Sequence, residues 1–343
     1  MAEYRNFWSE FREIQESTKK KLLKKPNYNE AISQLHQLSH DMEAEMPEQA
    51  AMCHRELSNL YEKVQNGPAE QRHIVKAADL FHKARMTRHN MNMSVIQEWD
   101  SLMEECYLKL IDKHIKLGCL KLAGMTCMEV ANRFLEFRCY ERVYHYFVKA
   151  NRYVQPNPYV QSDIVNSLCR IAFLLPSPDE AIGDINSIWN SMVKDQTFDG
   201  VIREMLLKAE CNILLLNLKY FISGKESLQK SNLSTYDGQW RTLKTSVMTK
   251  AEFTLMSKFV RIVKDGNYME SCKMQAIDLQ KYLDDQGKEL SFEIVNAICK
   301  VPSVDRGFEE IRNSDCSELE KRQMLFELYN NLARKNQLRV EDL

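Results

Sequence analysis

The residues of this chain best able to do chemistry are a pair of histidines, a scatter of cysteines, a lysine run and one glycine–lysine step. His36 and His40 stand four apart, one helical turn, and could share a metal ion. A metal centre wants a third ligand, but no carboxylate lies where one is needed and no His-Glu-x-x-His motif occurs. They read as polar surface histidines. Cys119, Cys127 and Cys139 are too widely spaced for a zinc half-site and fall on apolar helix faces. No Cys-x-x-Cys pair and no Gly-x-Ser-x-Gly elbow is present. Gly224-Lys225-Glu226-Ser227 resembles the end of a phosphate loop but lacks the upstream glycine. The expectation is therefore no catalytic, cofactor-binding or metal-binding residue, and no enzyme.

What remains is binding chemistry. Lys19, Lys20, Lys21, Lys24 and Lys25 form a dense cationic run before Pro26. Such a run can meet an acidic partner. It can also offset a helix dipole at a C-terminus, which is the preferred reading. Phe137, Tyr140, Tyr144, Tyr146 and Tyr153 alternate with Arg133, Arg138, Arg142 and Arg152. An RNA-stacking platform has that composition. A repeat core with a solvated charged face has it too, and is favoured.

Composition narrows the class. Charged residues make up 28% of the chain and the net charge is −1, so no overall field steers it to nucleic acid or acidic membrane. Glycines number 10 and prolines 8, too few for a turn-rich β protein. The first residues, Met-Ala-Glu-Tyr-Arg, hold no apolar run, so no secretory signal is expected. The 10 cysteines then read as buried thiols of a reducing cytosol.

The positioning elements are helices. The organising pair runs from Cys119 to Phe137 and from Tyr140 to Tyr153, joined by a short turn around Arg138. Val143, Phe147 and Ala150 share one face of the second helix, and Ala131 and Phe134 one face of the first. Small residues allow close approach and an aromatic fills the groove beside them. The pattern recurs at Ala31, Leu35 and Leu38, at Ile74, Ala77, Phe81 and Ala84, and at Ala181, Ile185 and Ile188. Ala77 and Val143 are 66 residues apart, close to two tetratricopeptide periods of ~34. The fold expected is all-α, a tetratricopeptide-like helical-hairpin solenoid.

Taken in order, the first helix is expected from Tyr4 to Leu23, with Phe7, Phe11, Ile14 and Thr18 on one face and Trp8 beside it. The second is expected to be capped by Asn29. The organisation expected is an N-terminal array over 1–194, a polar break at 195–200, an apolar helix at 201–222, a flexible loop at 223–238 and a C-terminal array at 239–343 continuous with the first. The longest apolar stretch, Ile213 to Ile222, is interrupted by Asn217 and Lys219 and is too short to span a bilayer.

Two segments go beyond a generic repeat. Lys20-Lys21-Leu22-Leu23-Lys24-Lys25-Pro26-Asn27-Tyr28-Asn29-Glu30-Ala31 is one, and Gly67-Pro68-Ala69-Glu70 followed by Ala77-Ala78-Asp79-Leu80-Phe81 is the other. With Glu210-Cys211 leading into Leu214-Leu215-Leu216, they resemble the huntingtin-associated 40-kDa protein (factor VIII intron 22 protein) family. Where members known from vertebrates carry a Pro-rich insertion, this chain has only Lys194 to Gly200. The resemblance implies a scaffold that binds and stabilises huntingtin, itself a HEAT-repeat protein. It also implies a link to early endosomes through a Rab GTPase, and a cytoplasmic location extending to early endosome and nucleus. Lys25-Pro26-Asn27-Tyr28 and Ala77 to Ala84 also look like the soluble NSF attachment proteins, adaptors of SNARE disassembly, which supply the alternative.

Three surfaces are expected to meet a partner: Phe7, Trp8 and Phe11 with Lys20, Lys21, Lys24 and Lys25 near the start; Leu214, Leu215, Leu218 and Phe221 on the apolar helix; and Leu325, Leu328 and Tyr329 near the end. The apolar helix carries the sharpest expectation. A helix apolar all round must be covered all round, so an uncovered one would leave the chain unstable without its partner.

Overall fold

The computed structural model describes residues 6–19, 26–93, 97–194, 196–224, 233, 236 and 246–298. Among these residues the chain is all-α, without strands, and neighbouring helices pack as the hairpins of a solenoid. The described residues fall into two compact units: 6–213 with 246–247, and 214–224 with 233, 236 and 248–298. The division falls inside the apolar helix rather than at the polar break of 195–200.

In the first unit α1 (Phe7–Ser17), α2 (Tyr28–Met42), α3 (Pro47–Lys63), α4 (Gly67–Asn90), α5 (Gln97–Lys116), α6 (Leu120–Glu136), α7 (Tyr140–Val154), α8 (Pro158–Ile171) and α9 (Pro178–Val193) each pack on the next. The stripes read from the sequence are the seams. Ile74, Ala77, Phe81 and Ala84 are buried, as are Ala131, Phe134, Val143, Phe147 and Ala150. α10 (Gly200–Ile222) begins in the first unit and ends in the second. The second unit adds α11 (Lys250–Lys264), α12 (Tyr268–Lys273), which runs on through a wider π-type turn over Met274–Leu279, and α13 (Asp285–Ile298).

Helix starts are locally encoded. The side chains of Asn6, Asn27, Asn66, Asn157 and Asn267 each accept from a backbone N–H of the first turn. The cap of α2 is thus Asn27 rather than Asn29. α1 stops at Ser17, short of Leu23. The hydroxyls of Ser17 and Thr18 turn back to the Ile14 and Gln15 carbonyls at 2.6 and 2.8 Å, a local alternative to the helical ladder.

One turn joins several of these hairpins. A single left-handed residue, Gln65 (φ 58°), Gly118 (73°), Arg138 (57°) or Gly266 (70°), is followed by an N–H reaching back five residues. These bonds run from Asn66 to Tyr61, Cys119 to His114, Cys139 to Phe134 and Asn267 to Ile262, at 2.8–3.1 Å. Repeat architecture is therefore visible in the backbone even where glycine is missing.

Polar side chains reach one helix further than the apolar seams. Glu43 pairs with Lys76 and Arg55 with Glu105. Lys109 holds Glu62 at 3.0 Å, Arg133 holds Asp79 at 2.9 Å and Arg142 holds Glu104 at 3.2 Å. Tyr144 donates to Asp184 at 2.6 Å, and Asn212 to Asn166 at 3.2 Å. These bonds fix the register of each helix against the next but one.

Candidate interaction surface

The three surfaces expected from the sequence fare differently. Phe7 and Phe11 are each 4% exposed and belong to one core cluster with Ile14, Ala31, Leu35, Leu38, Cys53, Leu57 and Leu60. They hold α1 to the array and cannot meet a partner. Trp8, on the other side of α1, is 49% exposed. Its ring stands edge-on to both Phe7 and Phe11, at 5.0 and 6.3 Å between centroids, so a rigid support holds an aromatic outward. Lys20, Lys21, Lys24 and Lys25, and Leu325, Leu328 and Tyr329, lie outside the described residues.

The apolar helix is a correction. Leu214, Leu215 and Leu218 are at most 1% exposed. They are core, because α10 is covered within its own chain. In the first unit Glu210, itself wholly buried, accepts from Ser246 Oγ, which lies in contact, and from the Val247 N–H at 2.9 Å. In the second, Lys219 pairs with Glu293 of α13 and the Lys264 ammonium of α11 sits 5.5 Å over the half-buried Phe221 ring. Of the two polar residues that interrupt the apolar run, Asn217 is buried with it, as is Asn212 just before it, and Lys219 is half-buried. The composition correctly demanded complete cover but did not say from where.

The exposed apolar surface is elsewhere. Around the turn between α5 and α6 stand Leu117 at 60%, Leu120 at 47%, Leu122 at 53% and Met125 at 50% exposure. Gly118 and Cys119 complete that turn, both exposed. The sequence signal was present in part, since Leu120, Leu122 and Met125 fall off the buried Ala123–Cys127–Val130 stripe of α6.

The arginine–aromatic alternation is internal wiring. Arg142 lies 4.9 Å over the Phe134 ring, and Tyr146 donates to Glu104 at 2.7 Å. Burial first, then that carboxylate, pushes the Tyr146 phenol up. The hydroxyls of Tyr144 and Tyr146 are already spent on carboxylates, so these two do not form a free stacking platform.

Cys53, Cys106, Cys127, Cys169 and Cys211 are buried as expected, whereas Cys119 is exposed and Cys139 half-buried because they sit in the turns before α6 and α7 rather than on apolar helix faces. Burial pushes Cys53 up to about 12 and Cys106 and Cys127 up to about 11, so they are protonated and poorly nucleophilic. Among the described residues no group of three or more His, Cys, Asp or Glu side chains is arranged to hold a metal ion. No described helix is long and apolar enough to cross a membrane. The sequence matches no protein-family model and no curated protein.

Proposed function

We propose that the chain is a non-catalytic scaffold that binds another protein through the exposed apolar turn between α5 and α6 and through the outward Trp8. The observation that carries this is the exposure of Leu117, Leu120, Leu122 and Met125 together at one hairpin tip, on an array whose other stripes are spent on internal seams. Apolar patches of this kind on a soluble chain mark interaction sites.

The partner proposed is huntingtin, on the resemblance carried by Lys20 to Ala31 and Gly67 to Phe81, with a stoichiometric complex as the working form. A role at early endosomes through a Rab GTPase goes with that reading. Purified chain mixed with purified huntingtin should co-elute as one species on gel filtration, and Leu117→Asp with Leu122→Asp should abolish co-elution while leaving the helical spectrum intact. Separate elution of the unmodified proteins would end the huntingtin reading. Co-elution with the hexameric ATPase and SNAREs instead would install the attachment-protein alternative.

A further inference from the structure

Three histidines from three consecutive helices meet inside the first unit: His36 on α2, His54 on α3 and His73 on α4. The His54 and His73 rings stand edge to edge with centroids 5.0 Å apart and planes 19° apart, and their Nδ1 atoms face each other at 2.9 Å. The Tyr61 ring is parallel to His73 at 5.2 Å. His36 approaches His73 at 5.0 Å, and its Nε2 lies 3.2 Å from the Tyr61 hydroxyl. His54 and His73 are each 7% exposed.

Two ring nitrogens at that distance hold one proton between them, one donating N–H and the other accepting. A second proton, placed on the accepting nitrogen, would set two N–H donors against each other and leave a cation in a buried space. The rings must part before it can enter. They belong to the two arms of the α3–α4 hairpin, and His36 ties α2 to the same cluster. We propose that this cluster is a proton-operated latch on the α2–α3–α4 layer, closed while His54 and His73 share one proton and opened when acid adds a second.

The surrounding charges act in the same direction. α2 contributes His36 and, at its end, Glu43; α3 contributes Tyr61; α4 contributes Arg72 and Lys76. Lys76 is paired with Glu43, so Glu43 offsets only part of the cationic field. On the α5 side, Glu105 pairs with Arg55, Lys109 with Glu62 and Lys113 with Glu70. α1 brings Glu10 near Cys53. Burial, ahead of these charges, lowers both imidazoles from 6.5 to about 4. The sign follows. Once opened, a ring takes up its proton near pH 6.5, while the closed pair resists until about 4. The closed layer is therefore at full strength above 6.5 and weakens as pH falls towards 4. Each pH unit in that window multiplies the open-to-closed ratio by up to about tenfold per excluded proton.

Hydrogen–deuterium exchange on the full chain reads this directly, after correction for the intrinsic pH dependence of exchange. Between about pH 6.5 and about pH 5, protection over Tyr28–Met42, Pro47–Lys63 and Gly67–Asn90 should fall by about tenfold or more while Leu120–Val154 holds. His73→Phe keeps a ring against Tyr61 but removes the facing nitrogen, and should flatten that pH dependence. Equal loss of protection in α6 and α7, or a His73→Phe chain as acid-sensitive as the original, would overturn the latch. If His73→Phe does not fold, imidazole NMR of the unmodified chain decides. His54 and His73 should stay unprotonated well below their ordinary value, and independent titration of both near it would overturn the proposal.

Discussion

At the scale of single residues the array depends on a few side chains with no alternative partner. Arg85 Nε is held by Asp100 Oδ1 at 3.0 Å, with both side chains about nine-tenths buried, and the guanidinium lies 4.7 Å over the Phe137 ring. Its Nη1 has no hydrogen-bond partner, so Asp100 is the anion that makes burial of the cation tolerable. Asp100→Ala should destabilise the chain by about 3 kcal/mol, read as a shift of the urea midpoint, and a change below about 0.5 kcal/mol would show the cation to be well solvated. Gly124 is the tightest point of the α6–α7 crossing. A Cβ there would collide with Val154 Cγ1 and press on Tyr153 Cβ at 3.2 Å and the Ala150 carbonyl at 3.3 Å. Gly124→Ala gains helix propensity, yet should cost about 1–3 kcal/mol because the neighbours include backbone. A melting temperature equal to that of the unmodified chain would mean that α7 moves aside freely. Neither effect is visible in the sequence, because each depends on what packs across from the residue.

At the scale of elements the hairpin turn is the repeated unit. Gly118 and Gly266 adopt the left-handed conformation without a Cβ, whereas Gln65 and Arg138 adopt it with one. That conformation costs an L-residue roughly 1–2 kcal/mol. Gln65→Gly and Arg138→Gly should each raise stability by up to about 1 kcal/mol, the remainder being lost to the greater freedom of glycine in the unfolded chain. Urea midpoints measure this, and a loss of stability in both variants would mean that the side chains hold the turns. The helix boundaries were legible because caps, prolines and stripes are local signals. α6 and α7 lie within a residue or so of their expected limits, and the turn around Arg138 is where it was expected. The end of α1 was not legible, because Ser17 and Thr18 can continue a helix or lie at its end, and here they lie at its end.

At the scale of the whole molecule, burial of α10 removes the reason the sequence offered for expecting the chain to fail alone, and the α5–α6 turn is the surface proposed for binding instead. The lysine run can still act at a distance. Lys20→Glu, Lys21→Glu and Lys24→Glu together should slow association with the proposed partner and flatten its salt dependence, since exposed charges act chiefly on the association rate; unchanged low-salt association rates would return the run to balancing a helix dipole. By itself the sequence determined the fold class and the seams, because a stripe at a spacing of three and four is a property of one helix and needs no neighbour to be read. It determined that Ile213 to Leu218 must be covered, because leucine at every angle leaves no face for water. Tertiary structure alone decided what does the covering, and which histidines meet. His36 and His40 are one turn apart on α2, but His36 keeps company with His54 and His73, which come from two other helices. Spacing along a chain reports the face of one helix. Which faces meet is set by turn geometry and by the crossing of packed helices, and no single helix carries that information.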